Sequence, residues 1–577
     1  MPLALASSCF FDFGFYLGKT RIIFSPFNSL IHRQKNKKTS LSSYVRIDFL
    51  KKIFTQWVKE TRKEQRGKMS ITQKGFPFKY EEEKKDRGIT SLGGLPLYLE
   101  LAHTIGLFRS VREHIQIREA TQGWTDTQVI ISLILLNLAG GDCVEDLGVL
   151  EADEGFCRIL RRVELHDLSR KQRRKQERRW RKEKRRTVPS PTAVFRYLEA
   201  FHDEEEEKKR VPGKAFIPAP NQHLKGFGRV NGDLMSITQR QNHQEVATLD
   251  MDATLVETQK EEAFYSYKGF KSYQPLNVWW AEQQVILHTE FRDGNVPAGY
   301  QNLRMLKEGL EQLPDGVKRV RLRSDNAGYQ HSLLRYCERG KNKRFGRIEF
   351  AIGCDVTDEF KVAALQVEET EWYPIYKRVG KIKIKTAQEW AEVGFVPNAI
   401  GHSLRSPEYR YIAIREPLAQ RVLPGMEQEM LFPFPTLSMK DKNYKLFGIV
   451  TNMEMEGEEL IHWHRQRCGK SEEAHGVMKN ELAGGKLPSG SFGENAAWWW
   501  CMILAFNLNA LMKNLVLRGE WKKKRMKAIR YWIINIAARI IRHSRELIIQ
   551  LRKGHPCFTL IKNARLRIME LGCVPAG

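Results

Sequence analysis

The sequence predicts a mixed α/β protein built around one central sheet, with helical regions before and after the sheet. Three observations lead to this prediction. Apolar residues recur at helical spacing over residues 89–162, strand and helix patterns alternate over 246–354, and helical patterns return after Ile461. The chain has 577 residues, which is enough for about three to five domains and for a large buried core.

The composition indicates a polyanionic partner. Lys and Arg number 95 against 68 Asp and Glu, so the formal net charge is +27. This excess suits DNA or RNA better than a membrane. The hydrophobic content of 42% excludes a disordered chain. The nine cysteines include no C-x-x-C pair, which argues against a disulfide framework or zinc ribbon and for a reducing compartment.

The most apolar stretch, residues 496–512, is predicted to be a buried helix. Asn507 and Asn509 interrupt it, and no run reaches 18 uninterrupted apolar residues. We interpret residues 1–69 as a leader that is not native. Residues 1–46 hold one acidic and seven basic residues, which also fits a transit peptide, but the start lacks the basic region of a signal peptide. We prefer translation from an upstream start, with Met69 as the natural one.

The first domain is predicted to be helical and to bind DNA. It spans residues 70–240 and contains a basic run, residues 170–186, in which twelve residues are Lys or Arg and two are Glu. Runs of this kind are usually solvated helix faces. Since the whole chain is strongly basic, we expect this run to contact DNA phosphates.

The remaining domains follow from the alternation of strands and helices. Residues 241–357 form the first part of an α/β core, with strands near 246–256, 277–291, 317–322 and 347–354 and helices near 297–313 and 333–337. Residues 358–440 are rich in strand patterns and are predicted to be a β insertion. Residues 441–515 complete the core with a strand and a long helix that begins near Ile461. Residues 516–577 are predicted to be a basic helical region, with an amphipathic helix or helix pair over 521–553.

Acidic residues at predicted strand ends are the main candidates for chemistry. Asp250 and Asp252 share one face of a strand because side chains alternate with period two. Asp325 follows the apolar strand near 317–322, and either Glu472 or Glu473 on the long helix supplies a third carboxylate. Three such carboxylates can hold two Mg²⁺ ions about 4 Å apart for phosphoryl transfer. Each Asp taken alone is better explained as a turn or cap residue, and the order of the elements is what favours the joint metal site.

A zinc site is the competing interpretation. Its ligands would be drawn from one short segment: His462, His464, Cys468 and His475. These residue types suit zinc, but their spacing matches no common zinc signature. We therefore interpret these side chains as local polar contacts.

Several sequence blocks occur together in one order and point to a known family. They are residues 249–255, 265–275, 292–295, the segment around Asp325, 468–482 and 492–498. On these blocks the sequence resembles the bacterial insertion-sequence transposases of the DDE type, in the IS-four-like superfamily and most closely its "IS thirteen-eighty" group. The resemblance covers about residues 89–515. It implies an RNase H-like catalytic domain that carries a β-rich insertion.

The resemblance also implies roles for individual residues. It makes Asp252, Asp325 and Glu472 the catalytic residues and the ligands of two Mg²⁺ ions, for which Mn²⁺ can substitute. The family signature Y-x2-R-x3-E-x6-K appears here as His464-x2-Arg467-x4-Glu472-x6-Lys479, so His replaces Tyr and one residue is added before the Glu. The expected DNA-contacting residues are Trp463, His464, Arg467 and Lys479. The candidates for gripping a flipped base, as in relatives, are Trp279, Trp280, Trp372 and Trp463.

The expected function is that of a DNA transposase. It would bind terminal inverted repeats, cleave the transposon ends, join the 3′-OH to target DNA and act as a homodimer, in the cytoplasm of a bacterium and associated with the nucleoid. The alternatives are a nuclease of the same fold without strand transfer, a catalytically decayed DNA-binding copy, and, on charge alone, an RNA-binding protein.

The basic run yields a first prediction. Replacing the Arg and Lys residues of 170–186 by Gln should weaken binding to specific and random DNA alike. The slope of log affinity against log salt should flatten by up to about 0.9 for each lost phosphate contact. Fluorescence anisotropy at several salt concentrations measures this slope, and an unchanged slope would show that the run is a solvated face.

Overall fold

A computed structural model describes most of the chain after residue 87. The described ranges are 88–117, 123–166, 168–174, 186–380, 382–397, 409–418, 434–439, 442–544 and 546–572. The chain divides into two compact units, residues 1–84 and 85–577. In the first unit, β1 (Tyr16–Leu17) pairs antiparallel with β2 (Thr20–Arg21). The rest of the predicted leader and residues 175–185 of the basic run lie outside the described residues.

The amino-terminal part of the second unit is helical, as predicted. After the short β3 (Ile89–Thr90) come α1 (Leu95–Thr104), α2 (Leu107–His114), α3 (Asp126–Ala139), α4 (Leu147–Ala152), α5 (Glu154–Glu164), α6 (Pro191–Leu198), α7 (Glu204–Glu207) and α8 (Gln222–Gln241). A capping box between Thr125 and Gln128 begins α3, and Gly140 ends it at a φ of 105°. Eleven residues of α3 are buried, so this helix belongs to the core and not to the surface.

One mixed ten-stranded sheet dominates the α/β part. Its strands are β4 (Val246–Ala253), β8 (Leu276–Trp280), β9 (Val285–Glu290), β10 (Arg319–Ser324), β11 (Glu349–Cys354), β12 (Tyr373–Val379), β13 (Ile382–Val393), β14 (Arg410–Pro417), β15 (Thr436–Met439) and β16 (Lys442–Thr451). The order is β12-β13-β14-β16-β11-β10-β4-β8-β9, with β15 also paired to β16. A separate small sheet contains β5 (Val256–Glu257), β6 (Phe264–Tyr265) and β7 (Lys271–Tyr273).

The centre of the large sheet is parallel. Strand β10 pairs in parallel with β4 on one side and with β11 on the other, whereas β8 pairs antiparallel with β4. Helices α9 (Asn302–Glu311), α10 (His331–Glu338) and α11 (Asp358–Leu365) connect these strands or follow them. Since parallel strands end at the same edge of a sheet, the residues that follow β4 and β10 lie side by side.

The predicted β insertion extends the same sheet. Strands β12, β13 and β14 continue it beyond β16 with antiparallel pairing. A second apolar core lies beneath them and includes Ile375, Trp390 and Ile412 together with Leu460 and Ile461. Leu460 and Ile461 belong to α12 (Gly457–Arg465). The insertion therefore packs against the helix that leads into the candidate site.

The apolar stretch near residues 496–512 forms the central helix of the protein, which confirms the prediction of a buried helix. Helix α13 (Lys470–Glu481) precedes it, and α14 (Phe492–Leu511) is buried along its whole length. By length and composition alone, residues 492–517 meet the criterion for a membrane span, as core helices also do. Asn507 satisfies its amide inside the core through Asn231 and the carbonyl of Ile286.

Two helical predictions after residue 457 are wrong. The long helix is broken between α12 and α13, where Gly469 adopts a φ of 81°. The helix or helix pair predicted over 521–553 does not extend past residue 534. The helix α15 (Met526–Ile529) continues as a π-helix over Arg530–Ile534, and a hairpin of β17 (Ala538–His543) and β18 (Glu546–Leu551) and the helix α16 (Phe558–Gly572) follow. The hairpin forms because β-branched Ile residues dominate it and because β17 also pairs with β3. The predicted strand 277–291 is likewise a hairpin, with a turn at Gln284.

Glu207, in the acidic run 203–207, caps the start of α14. Both carboxylate oxygens of Glu207 accept hydrogen bonds from backbone amides, at 2.9 Å from Phe492 and 2.8 Å from Gly493. The first amides of a helix lack partners inside the helix and carry a partial positive charge. Glu207 satisfies two of them, and its side chain is 10% exposed.

Glu207→Gln should lower the free energy of unfolding by about 1–2 kcal/mol, because the amide cannot accept two hydrogen bonds equally and loses the charge at the helix start. Urea denaturation followed by circular dichroism measures the change. Glu205→Gln is the matched control, since the side chain of Glu205 is 85% exposed. Equal stability of the two variants would contradict this role of Glu207.

Candidate active site

Asp252 and Asp325 occupy neighbouring strand ends at one edge of the sheet. Asp252 is the last but one residue of β4, and Asp325 directly follows β10. The register pairs Met251 with Ser324, so the two aspartates are brought together by the parallel pairing. Asp325 also accepts a hydrogen bond of 3.0 Å from the amide of Ala327, which fixes its turn.

Both carboxyl groups are held in an environment that disfavours their charge. Burial raises the pKa of Asp252, and the guanidinium of Arg467 opposes this rise. Burial raises the pKa of Asp325 as well, and the negative charge of Asp252 raises it further. Two carboxylates that repel each other in a partly buried place need a compensating cation.

Arg467 supplies positive charge at this position. It lies in the break between α12 and α13, is buried, and places its Nη1 atom 3.3 Å from Oδ2 of Asp252. The hydroxyl of Ser471 donates a hydrogen bond of 3.3 Å to the carbonyl of Arg467 and lowers the pKa of Asp252. Gly469, one of the four residues between Arg467 and Glu472, lies in this break.

Glu472 and Glu473 are both exposed in the first turn of α13, but their surroundings differ. The charge of Glu472 acts on the carboxyl of Asp252. The charge of Glu473 acts instead on Lys513, beyond the end of α14. Of these two residues, Glu472 is therefore the one whose charge acts on an aspartate of the candidate site.

Asp250 is engaged elsewhere, although it shares a strand face with Asp252. It forms a two-pronged ion pair with Arg323 on β10, at 2.6 and 2.9 Å, and both side chains are 3% exposed. Arg323 also donates to the carbonyl of Trp463 at 2.7 Å and lies 5.0 Å from the centre of its ring. This cluster joins β4, β10 and α12.

Two histidines are buried beside the site in the neutral form. His464 donates from Nε2 to the carbonyl of Ser324 at 3.0 Å, and burial lowers its pKa to about 4. His475 lies with Nδ1 4.0 Å from Asp252, and burial lowers its pKa to about 4 as well. His464 therefore contacts the end of β10 in this structure, and its contact with DNA remains a prediction.

A chain of buried hydrogen bonds sets the orientation of His475. The indole of Trp499 donates to Thr289 at 2.9 Å, and Thr289 donates to Asn277 at 2.7 Å. The amide of Asn277 then faces Nε2 of His475 at 3.4 Å. Since the amide nitrogen of Asn277 donates, Nε2 accepts and Nδ1 carries the proton that points toward Asp252.

Sequence reasoning did not find Arg323 or Asn277 as parts of the site, and it named His475 only as a candidate zinc ligand. The sequence did contain a signal for Arg323. Arg323 lies two residues before Asp325, just as Asp250 lies two residues before Asp252, so the two opposite charges could pair across adjacent strands. Asn277 carried no recognisable signal, since its importance comes from pairing opposite Asp252 in the sheet.

Lys479 and the candidate tryptophans occupy different positions. Lys479 donates to the carbonyl of Leu255 at 3.0 Å, and burial lowers its pKa, with Lys268 adding to the shift. Trp280 and Trp372 are buried, and Trp279 packs edge-on against Phe506. Trp463 is half-buried over Arg323, so its predicted contact with DNA requires the exposed part of the ring.

The candidate residues have the right chemistry for a metal site, but their positions do not form one in this structure. Asp252, Asp325 and Glu472 are hard oxygen ligands of the kind that Mg²⁺ prefers, and the mutual repulsion of the two aspartates fits a cation between them. Within the described ranges, however, no three His, Cys, Asp or Glu side chains converge closely enough to hold a metal. This applies equally to the zinc alternative, in which His462 lies 3.5 Å from Glu458 instead.

Comparison with known proteins identifies the family. The family model described as "Transposase DDE domain group 1" matches residues 81–573. Among solved structures, the chain is similar to a cryo-EM structure of the piggyBac transposase synaptic complex with hairpin DNA, at 10% identity over 76% of this chain and 79% of that chain, with a TM-score of 0.39. No curated protein matches the chain. The assignment rests on the family match.

Asp250→Asn and Asp325→Asn should have opposite effects on stability. Asp250→Asn leaves the buried Arg323 without its carboxylate and should cost about 3–5 kcal/mol. The raised pKa of Asp325 means that its ionised form is disfavoured in the folded protein at neutral pH. Asp325→Asn should therefore leave stability within about 0.5 kcal/mol or increase it. Thermal unfolding at pH 7 without divalent ions compares them, and a larger loss for Asp325→Asn would contradict this account.

Proposed function

The chain belongs to the family Transposase DDE domain group 1, which makes it a DNA transposase, and we propose the steps that its site performs. It binds the terminal inverted repeats of a mobile element, hydrolyses the phosphodiester at each 3′ end and joins the freed 3′-OH to target DNA. The observation that carries this proposal is the juxtaposition of Asp252 and Asp325 at adjacent strand ends. The charge of Glu472, in the first turn of α13, acts on Asp252.

We propose that Asp252, Asp325 and Glu472 hold two Mg²⁺ ions, with Mn²⁺ as a substitute. When bound, such ions activate the attacking oxygen and stabilise the leaving oxygen of an in-line phosphoryl transfer. The chain itself contributes the position of the carboxylates. The pairing of β4 with β10 sets the distance between the aspartates, and His464 holds the carbonyl that precedes Asp325.

Cations beside the carboxylates would position the DNA. Arg467 and Lys479 lie on opposite sides of Glu472 along the chain, and both are partly or wholly buried. A guanidinium or ammonium in this place can bind the phosphate next to the cleaved bond. His475 remains neutral near pH 7 because its pKa is about 4, so it orients Asp252 without adding charge.

We also propose the closer relationships that the sequence blocks imply. These are membership of the IS-four-like superfamily and its "IS thirteen-eighty" group, an RNase H-like catalytic domain, a homodimer that holds two DNA ends, and a bacterial cytoplasmic location near the nucleoid. The strand order β9-β8-β4-β10-β11, with an antiparallel hairpin beside three parallel strands, supports the RNase H-like proposal.

The test separates binding from chemistry. Asp252→Ala, Asp325→Ala and Glu472→Ala should lower cleavage by several orders of magnitude, because each loss removes charge stabilisation from the transition state. Binding to end DNA should survive, since phosphate and base contacts lie elsewhere. Gel shift and strand-nicking assays with Mg²⁺ or Mn²⁺ measure the two properties separately.

Glu473→Gln is the matched control for Glu472→Gln, since it changes the same side chain one position along the helix. It should retain most nicking. If Glu473→Gln abolishes nicking and Glu472→Gln does not, the assignment of Glu472 is wrong and Glu473 takes its place. Nicking by the wild-type protein without joining of the 3′-OH to a second duplex would instead identify a nuclease.

A further inference from the structure

The hairpin of β12 and β13 leaves the sheet as a free two-stranded ribbon. Its outer part contains residues 376–380 and 382–385, and from 377 onward every described residue of it is exposed. The inner part of β13 is different, since Trp390, Ala391 and Val393 are buried in the sheet. The ribbon therefore projects from the body of the protein at the end of the insertion.

The two faces of the ribbon have different chemistry. The pairs Tyr376 with Lys385 and Arg378 with Lys383 place one Tyr and three basic side chains on one face. The pairs Lys377 with Ile384 and Val379 with Ile382 form the other face, where Val379 is 54%, Ile382 66% and Ile384 50% exposed. No Asp or Glu occurs between residues 373 and 388.

The ribbon is rigidly attached at its base. Its first strand receives support from α12, where Glu458 accepts a hydrogen bond of 2.9 Å from the amide of Tyr376. Thr386 donates across the hairpin to the carbonyl of Ile375 at 2.7 Å. Trp390 packs against Gly457 at the start of α12. Helix α12 packs against the base of the ribbon and leads directly to Arg467. It therefore connects the ribbon to the candidate site.

We propose that this ribbon binds duplex DNA through the face that carries Arg378, Lys383 and Lys385. The inference rests on the proposed function, since it assigns a second contact to the DNA that the site cleaves. Charge complementarity supports it, because three cations and no carboxylate face the same side. Lys383 also lies 5.9 Å from the ring of Tyr376, which keeps it above the ribbon surface.

The dimensions of the ribbon fit a groove of B-DNA. Four residue pairs at about 3.3 Å per residue give a projection of about 13 Å, and the two strands lie about 4.8 Å apart. The major groove is about 12 Å wide and admits a two-stranded β-ribbon. Long Arg and Lys side chains on the inward face can then reach phosphates on both walls of the groove.

The test compares three variants of the full chain for binding to a fluorescent random-sequence duplex at several salt concentrations. Arg378→Gln, Lys383→Gln and Lys385→Gln combined should weaken binding at least about tenfold and flatten the salt slope by up to about 0.9 per lost contact. The opposite-face control combines Val379→Thr, Ile382→Thr and Ile384→Thr. The equal-charge control combines Lys522→Gln, Lys523→Gln and Lys524→Gln, which changes three exposed lysines elsewhere. Both controls should bind nearly as the wild type does.

A fourth variant removes the outer part of the ribbon as a whole, instead of replacing single side chains. Replacing residues 377–384 by Asn-Gly joins the paired residues Tyr376 and Lys385 through a two-residue turn. Thermal unfolding should be unchanged, because every described residue of the deleted part is exposed. DNA affinity should fall as in the basic-face variant.

The outcomes distinguish this inference from the proposed function. If the wild-type protein binds no duplex DNA, the proposed function fails. If the wild type binds and the basic-face and shortened variants bind equally well, the ribbon inference alone is overturned. It is also overturned if the equal-charge control loses as much affinity, or if only the opposite-face control has an effect and light scattering shows altered self-association.

Discussion

A buried ion pair between Asp250 and Arg323 is the interaction on which the site depends. Each partner lies two residues before one of the candidate metal ligands, Asp252 and Asp325, on adjacent parallel strands. Arg323 also binds the carbonyl of Trp463, so the pair fixes α12 against the same two strands. One cluster thus sets the positions of both aspartates and of the helix that leads to Glu472.

The carboxyl groups of Asp252 and Asp325, beside this ion pair, lie close enough for their charges to repel each other. Burial and mutual repulsion raise the pKa of Asp325, while Arg467 partly offsets the charge of Asp252. A site of this kind stores unfavourable electrostatic energy that a bound cation would release. The neutral histidines beside it add hydrogen bonds without adding charge. Stability and function therefore place opposite demands on Asp325.

Much of the architecture could be predicted from the sequence, because the apolar residues of several strands and helices follow a clear local pattern. The period-two strand that contains Asp252 and the apolar helix near residues 496–512 both have the expected form. The predictions failed where contacts between distant parts of the chain determine the local structure. The hairpin of β17 and β18 exists partly because β17 pairs with β3, more than four hundred residues earlier in the chain. The break at Gly469 depends on one positive φ that a helical pattern does not reveal.

The site shows the same division. Its candidate acidic residues came from residue type, from strand position and from the resemblance to the family, whereas Arg323 and Asn277 take their places only through the register of β10 and β8 with β4. The most direct test of the whole account is a crystal structure with Mn²⁺ and transposon-end DNA, with anomalous scattering to locate the metal. We predict two Mn²⁺ peaks bound by Asp252, Asp325 and Glu472, with Asp250 still paired to Arg323. Peaks bound by Asp250 or Glu473, or none beside Asp252, would contradict it.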